Sequence, residues 1–186
     1  MTVTSTGTPV PSSSRHVHPE LFREALGAVA TPVTVVTTTT GDDRPVGTTV
    51  SAFSSLSLDP PMIIVCLDRG SALLEELRAS RRMGVNVLAA DQGDTARGFA
   101  RKGVDKFAGV EWSMDDGLPR IQGSAAWLAC DIDAFVDGGD HLIATAHVTH
   151  ADVVERPPMV YFRRVFGTHH TPSSPRHVTR LEGETR

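Results

Sequence analysis

The sequence predicts a mainly β protein of the α+β class, in which antiparallel strands form a closed or split barrel with short helices at its ends. The first observation is a series of short apolar and β-branched runs, bounded by turns rich in Gly, Asp and Pro. The second is that helical spacing of apolar residues is confined to two or three short segments. The third is that polar turns such as 41–44 and 137–140 join consecutive strands as hairpins.

The composition is that of an ordinary globular chain, with 186 residues of which 40% are hydrophobic and 22% are charged. One domain of this size buries roughly 70% of its unfolded surface. The net charge of -4 gives no reason to expect nucleic acid or an anionic membrane as a partner. No apolar run approaches the roughly 20 residues of a membrane span, and the N-terminus lacks the apolar centre of a signal peptide. We therefore expect a cytoplasmic protein.

The two ends of the chain are polar. Residues 1–17 are rich in Ser, Thr and Pro, which predicts a disordered tail. Residues 169–186 have a similar character and predict a second flexible tail, unless a partner subunit holds it. Residues 18–168 are therefore expected to form the single folded domain.

The first helix is predicted from about Pro19 to Ala28, because Pro followed by Glu suits a helix start and Pro32 ends the segment. A β-branched strand, Pro32–Thr39, should follow and end in the polar turn 41–44. The apolar residues at helical spacing are Leu21, Phe22, Ala25, Leu26 and Val29.

The stretch Pro45–Leu67 organises the rest of the chain. Its first part is crowded with small hydroxyl residues and does not alternate as a strand covering a core would. Small side chains leave the backbone open to close approach by a flat ligand. Asp59-Pro60-Pro61 is a rigid stop, and Met62–Leu67 reads as a buried strand. The hydroxyl residues are Thr48, Thr49, Ser51, Ser54, Ser55 and Ser57.

A second helix is predicted from the N-cap Ser71 to about Ala79, with Leu73, Leu74 and Leu77 on its buried face. Its first backbone amides could bind an anion or a polar ring edge, or it could be a capped helix that binds nothing. The strand Met83–Leu88 contains Asn86, whose amide must find partners if buried. These partners could be backbone groups or a ligand's heterocycle.

A third helix is predicted over Asp91–Lys102, and it leads to Lys106 and Phe107. Arg97, Arg101 and Lys102 form a basic cluster that could serve a phosphate, or simply be a solvated helix face. The residues expected to face inward are Ala96, Phe99 and Ala100.

The C-terminal part reads as a polar segment, a long hairpin and a last strand. Glu111–Gly117 is polar, with Trp112 packing over the core. The long strand Ile121–Val136 turns at 137–140 into the strand His141–Val148, and the last strand begins at Pro157–Phe162.

Several kinds of site are not encoded. There is no G-x-G-x-x-G, no P-loop and no G-x-S-x-G elbow. His147 and His150 should point to opposite faces of a strand, so no metal site is expected. Cys66 and Cys130 lie in apolar runs, which favours buried thiols over a disulfide.

Six segments in order resemble the short-chain flavin reductases, which supply reduced flavin to two-component monooxygenases. They are FREALGAVATPVTVVTT, GTTVSAFSSLSLDPPMIIVCL, RMGVNVL, ARGFARKGVDKFAG, GGDHLI and PPMVYFRR, and they cover roughly Phe22–Phe166. The resemblance implies an FMN-binding split β-barrel with antiparallel, Greek-key-like strands. It also implies a homodimer, with the flavin near the subunit interface.

The resemblance also implies site residues. Asn86, Val87 and Leu88 would lie near the flavin ring or tail, and Lys106 is a weaker candidate at the phosphate end. His141 would contact the nicotinamide, with Tyr161 and Arg163 near the same pocket. The departure from the family at Ala146 and His147 bears on the shape of the nicotinamide side. The other implied flavin contacts are Thr49, Val50, Ser51, Ala52, Cys66, Leu67, Asp68, Ser71, Phe99, Arg101 and Phe107.

The implied activity is that of an NAD(P)H:flavin oxidoreductase, which moves a hydride from NADH, or NADPH, to FMN or FAD. Reduced flavin would then diffuse to a partner monooxygenase. No side chain is required as an acid or base, because the cofactors carry the chemistry. A non-catalytic flavin carrier on the same fold and an oxidase of the pyridoxamine-phosphate type are the alternatives; the GDH turn favours the enzyme over the carrier.

Overall fold

The computed structural model describes residues 16–103 and 105–169, so most of each predicted tail lies outside the described residues. Three helices and twelve strands make up this part of the chain. They are α1 (Pro19–Gly27), β1 (Thr31–Pro32), β2 (Thr34–Thr39), β3 (Pro45–Val50), β4 (Phe53–Leu58), β5 (Pro61–Asp68), α2 (Ala72–Ser80), β6 (Arg82–Val87), α3 (Gly93–Ala100), β7 (Trp112–Asp115), β8 (Leu118–Ile121), β9 (Ala126–Gly138), β10 (His141–Val153), β11 (Met159–Phe162) and β12 (Val165–Thr168). No helix in the described ranges is long and apolar enough to span a bilayer.

Seven strands form the main sheet, in the order β3-β2-β6-β9-β10-β5-β4, and all of its pairs are antiparallel. The mainly β, antiparallel prediction is therefore confirmed. The sheet is open, with β3 and β4 as its edges, yet only Ser51 and Ala52 separate these two strands in the chain. Three Cα–Cα steps reach about 11 Å at most, so the sheet must curl until its edges nearly meet. This curl gives the split-barrel shape.

The interior of the curled sheet is filled by aliphatic side chains, and α2 packs against them. Leu73, Leu74 and Leu77 of α2 are buried in this core, as predicted, but the Ser71 hydroxyl makes no capping hydrogen bond. Cys130 is buried here, whereas Cys66 is half-buried, and neither cysteine is in a disulfide. Burial of each such leucine stabilises the fold by roughly 1.5–3 kcal/mol.

The helix α1 has its predicted extent but no buried residue within the chain. The apolar side chains that share its face are all about half exposed. Their exposed fractions are Leu21 57%, Phe22 51%, Leu26 54% and, just beyond the helix, Val29 53%.

The organising stretch differs from its predicted form. Its hydroxyl-rich part is two strands rather than one, because the chain leaves the ladder at Ser51 and Ala52 and rejoins the sheet at the opposite edge. Only the first strand, β3, and the link after it reach the cavity described below. The strand β4 is mostly exposed, with a register irregularity between Ser55 and Ser57.

The predicted long strand Ile121–Val136 is also wrong at its start. Residues 112–121 form a separate hairpin, β7–β8, and β9 begins only at Ala126. This hairpin contributes Leu118 to a small cluster with Trp127 and Ala129, so the start of β9 is buried on both faces. A second hairpin, β11–β12, replaces the single last strand that was predicted.

Candidate functional site

A cavity of about 1080 Å³ lies where the two sheet edges meet. Its walls come from five parts of the chain: residues 44–52, the end of β5 with the start of α2, the end of α3 with the loop that follows it, Trp112 at the start of β7, and His141. A cavity of this size can hold a ligand larger than a typical drug molecule.

The wall formed by β3 is built on close packing with α3. A Cβ atom on Gly47 would lie 3.0 Å from the Phe99 ring and from the Val36 carbonyl oxygen, so this position requires glycine or local movement. The Thr49 hydroxyl donates to the Ala96 carbonyl oxygen at 2.7 Å, and the Thr48 hydroxyl to the Phe99 carbonyl at 3.4 Å. These hydroxyls therefore hold α3 in place, a use that the sequence pattern did not reveal.

Most of the side chains that the resemblance implied as flavin contacts line this one cavity. Residues from four separate elements are brought together there, and Lys106 and His141 join them. The implied residues on its walls are Thr49, Val50, Ser51, Ala52, Cys66, Leu67, Asp68, Ser71, Arg101 and Phe107.

Asn86, with its neighbours Val87 and Leu88, does not line the cavity. The Asn86 side chain is fully buried, and its Nδ2 donates to the Val35 carbonyl at 3.1 Å. Its Oδ1 accepts from the Ile121 backbone N–H at 2.7 Å. The structural alternative for Asn86 is thus the one found, because protein groups already satisfy both ends of the amide.

Phe99, Tyr161 and Arg163 are also absent from the cavity wall. Phe99 is fully buried behind β3, where its ring packs edge-on against Phe107 with centroids 4.9 Å apart. Tyr161 and Arg163 belong to the β11–β12 hairpin of the small sheet. Arg163 lies in its turn at φ 48°, and its N–H donates to the Gly27 carbonyl. Within one protomer, these two residues do not line the cavity.

One end of the cavity is basic. Four cationic side chains line it, among them Lys102 of the predicted basic cluster and Arg44, which was not expected in the site. The sequence predicts only that Arg44 lies in a turn. It does not show that the turn before β3 comes close to the end of α3. Lys106 is half-buried, and its Nζ donates to the Gly47 carbonyl at 3.0 Å. Burial lowers the pKa of Lys106. The fourth cationic side chain at this end is Arg101.

Lys106 and His141 reach the cavity from different parts of its wall. Lys106 contacts the chain at Gly47, whereas Ala52 accepts a hydrogen bond from the Cys66 N–H near the opposite end. At about 3.3 Å per residue, extended chain between Gly47 and Ala52 spans roughly 16 Å. From Cys66, β5 continues two residues to Asp68, which pairs with His141 in the ladder. Lys106 and His141 are therefore held beside different strands of the wall, Lys106 beside β3 and His141 beside β5.

His141 is the first residue of β10, and its side chain is 40% exposed. Its Nδ1 lies 2.7 Å from Oδ1 of Asp140. The hydrogen bond from the His141 imidazole lowers the pKa of the Asp140 carboxyl, and the positive charge of the imidazole lowers it further. Since Nδ1 is engaged by this carboxylate, Nε2 is the ring nitrogen left for a ligand.

Two other expectations concern β10. The departing residues Ala146 and His147 do not line the cavity, and Ala146 is fully buried. The register shifts between Val148 and His150, so regular strand spacing no longer fixes which way His150 points. Across residues 16–103 and 105–169, no group of His, Cys, Asp or Glu side chains is arranged to hold a metal ion.

We expect only one of the two cysteines to react with a thiol reagent such as 5,5′-dithiobis(2-nitrobenzoate) in the native protein. Burial raises the pKa of Cys130 to about 12, which suppresses its thiolate, whereas Cys66 lines the cavity. Absorbance at 412 nm should therefore report one thiol per chain, and none in Cys66→Ser. Two reacting thiols in the folded wild type would contradict this assignment.

Comparisons with known proteins give one answer. Residues 26–170 match the family described as flavin reductase like domain. A probable flavin reductase from Rhizobium meliloti is 41% identical over 132 residues, which is 70% of this chain and 42% of that protein. The chain thus spans less than half of that relative. The reductase subunit HsaB of a flavin-dependent monooxygenase from Mycobacterium tuberculosis is 37% identical over 154 residues, which is 81% of this chain and 82% of the subunit.

Solved structures agree. The flavin reductase PheA2 in its native state is 32% identical, with a TM-score of 0.76. The alignment covers 83% of this chain and all of that chain. The NADH:FAD oxidoreductase SgcE6 from Streptomyces globisporus, in complex with NAD and FAD fragments, is 33% identical with a TM-score of 0.79. This alignment covers 87% of this chain and all of the SgcE6 chain.

Proposed function

This chain belongs to the flavin reductase family and is an oxidoreductase of the kind that supplies reduced flavin in two-component monooxygenases, and we propose that it reduces FMN or FAD with NADH. The cofactors supply the chemistry, since a reduced nicotinamide gives up a hydride that the flavin accepts. The protein's task is to hold the two rings in contact, about 3–3.5 Å apart, which replaces a bimolecular encounter by an oriented one.

The observation that carries the proposal is the polarity of the cavity. Its basic end, defined as Arg44, Arg101, Lys102 and Lys106, offers the charge that a flavin phosphate needs. The far end has one imidazole, His141, and the small residues Ser51 and Ala52 on the adjoining wall. Phosphate at one end directs the flavin ring toward the other, where His141 can orient the nicotinamide.

The wall between the two ends is suited to a flat ring. Backbone amides around Thr49–Ala52 could stabilise the negative charge that develops on a reduced flavin. Cys66 and Leu67 of β5 border the same space with small or apolar side chains. No ionisable side chain is needed as a proton donor here.

The direct test is NADH consumption by the purified protein at increasing free flavin. Consumption that rises with added FMN or FAD until it saturates supports a reductase. A flavin-loaded protein indifferent to NADH would support the carrier alternative, and turnover of pyridoxamine phosphate would support the oxidase. Rates with the four combinations of FMN, FAD, NADH and NADPH then fix the preferred pair.

Removing charge from the basic end should weaken flavin binding. We expect Lys106→Gln to raise the flavin dissociation constant about tenfold, because a charge-assisted hydrogen bond to phosphate contributes roughly 1.5–3 kcal/mol. Arg78→Gln is the control, since Arg78 is an exposed cation of α2 outside the cavity. Fluorescence quenching of the flavin measures both constants, and equal constants in the two variants would contradict this assignment.

The wild-type affinity should also depend on pH in a defined direction. Burial lowers the pKa of Lys106 in the ligand-free protein, and a neighbouring phosphate would raise it again. Flavin binding then takes up protons, so affinity falls as alkaline pH approaches the ligand-free pKa of Lys106. This slope should be smaller in Lys106→Gln.

We also propose that the chain acts as a homodimer that buries the apolar face of α1. Leu21, Phe22 and Leu26 are about half exposed although they share one face of the helix. A helix of nine residues is marginal in water without such a partner surface. The occupant we propose is a second copy, since the resemblance implies a homodimer.

Light scattering should therefore report twice the mass of the chain, and the double variant Leu21→Ser, Leu26→Ser should shift the protein toward the monomer. The paired control is Val153→Ser, which removes an exposed apolar side chain at the end of β10. A wild-type protein that is monomeric at micromolar concentration would overturn the homodimer.

A further inference from the structure

The turn between β9 and β10, which precedes His141, is held from outside the cavity by one arginine. Arg69 lies in the turn between β5 and α2. Its backbone N–H donates to the Asp140 carbonyl oxygen at 3.1 Å, and its Nε donates to the Gly139 carbonyl oxygen at 2.9 Å. Its Nη2 pairs with the Asp137 carboxylate. One side chain and its own amide thus contact three of the four turn residues.

Two ladders hold His141 itself, but they do not reach the centre of this turn. The β9–β10 ladder ends at the pair Gly138–His141, so Gly139 and Asp140 lie outside it. Gly139 has a φ of +72°, and two adjacent glycines allow the turn many other conformations. Arg69 contacts both residues that the ladder leaves out.

The conformation of the turn matters because of Asp140. Its carboxylate is 2.7 Å from Nδ1 of His141, yet the Asp140 side chain is 90% exposed. No surrounding core holds this carboxylate, so its position depends on the backbone of the turn. Whatever fixes that backbone therefore fixes the direction of the imidazole.

We propose that Arg69 is a positioning residue for nicotinamide binding, which holds Gly139 and Asp140 so that His141 meets the nicotinamide in one orientation. The inference rests on the proposed function. Arg69 does not line the cavity, so it acts through the turn and not by touching the ligand. Lysine cannot replace it fully, because only the planar guanidinium reaches a carbonyl and a carboxylate together.

The test compares Arg69→Gln and Arg69→Lys with a control arginine that contacts the same strand, β9. Arg81 also clamps β9, since its Nη2 donates to the carbonyl oxygens of Ile132 at 2.9 Å and Asp133 at 2.5 Å, but it does not line the cavity. We expect Arg69→Gln to raise the KM for NADH about tenfold, as misplacement of an orienting group does. Arg69→Lys should recover part of this loss, and Arg81→Gln should leave KM unchanged. The flavin dissociation constant should be unchanged in all three.

A second readout does not depend on turnover. In ligand-free protein, hydrogen exchange of the peptide spanning residues 137–141 should be faster in Arg69→Gln than in wild type, and unchanged in Arg81→Gln. Unaltered exchange, an unaltered KM for NADH, or an equal rise in flavin dissociation constant and KM would each overturn the positioning role. Wild-type protein that fails to oxidise NADH with flavin would instead overturn the proposed function, and the exchange result would still stand by itself.

Discussion

Alanine at position 141 should raise the KM for NADH about 100-fold and leave the flavin dissociation constant unchanged, because an orienting contact is lost at one end of the cavity only. His141 lines the cavity beside the end of β5, whereas Lys106 contacts β3, and the His141 Nδ1 is already bonded to Asp140. Its loss therefore removes the Nε2 contact without touching the phosphate end. Stopped-flow titration with NADH and equilibrium titration with flavin measure the two effects separately.

The matched control is His147→Ala. His147 lies on the same strand, but its side chain does not line the cavity. The KM of His147→Ala for NADH should stay close to that of the wild type. Equal weakening of nicotinamide and flavin binding in His141→Ala would show that His141 supports the whole cavity and not the nicotinamide alone.

Leucine at position 86 should lower the free energy of unfolding by roughly 3 kcal/mol, because it leaves one buried N–H without its partner and takes a side-chain donor away from a buried carbonyl. The groups concerned are the Ile121 N–H and the Val35 carbonyl oxygen, both held by the Asn86 amide. Urea denaturation measures the loss. The flavin affinity of the folded fraction should not change, since Asn86 is outside the cavity.

Ser51→Val should have the opposite effect to Asn86→Leu, lower flavin affinity at unchanged stability. Ser51 is exposed on the cavity wall, so a larger side chain there should weaken flavin binding and leave the unfolding midpoint in urea unchanged. If Asn86→Leu instead lost flavin affinity at wild-type stability, the ligand role that the sequence left open for Asn86 would be restored.

The sequence predicted well what depends on local pattern. The extents of α1 and α2, the buried face of α2 and the antiparallel hairpins follow from spacing and turn residues. It failed where two segments distant in sequence share one structural task. Thr49 lines the cavity as the resemblance implied, but its hydroxyl donates to the Ala96 carbonyl, and the packing of β3 against α3 is not visible in either segment.

The same limit explains the other errors. The β7–β8 hairpin covers Trp127, so the start of β9 lacks the alternation of a half-exposed strand. Arg44 joins the cavity only because β3 runs back along α3. For the six segments of the resemblance, order along the chain indicated a shared site, yet Tyr161 and Arg163 belong to the hairpin of a separate three-stranded sheet.

The link Ser51–Ala52 has a consequence for how ligand selectivity can change. Because it joins β3 to β4 through two residues, the width of the cavity at that side is set by chain length and not by side-chain packing. An insertion between Val50 and Phe53 would loosen discrimination between ring systems before it cost stability, since every strand pair would stay intact. Substitution can tune what this wall contacts, but only a change in residue number can move it.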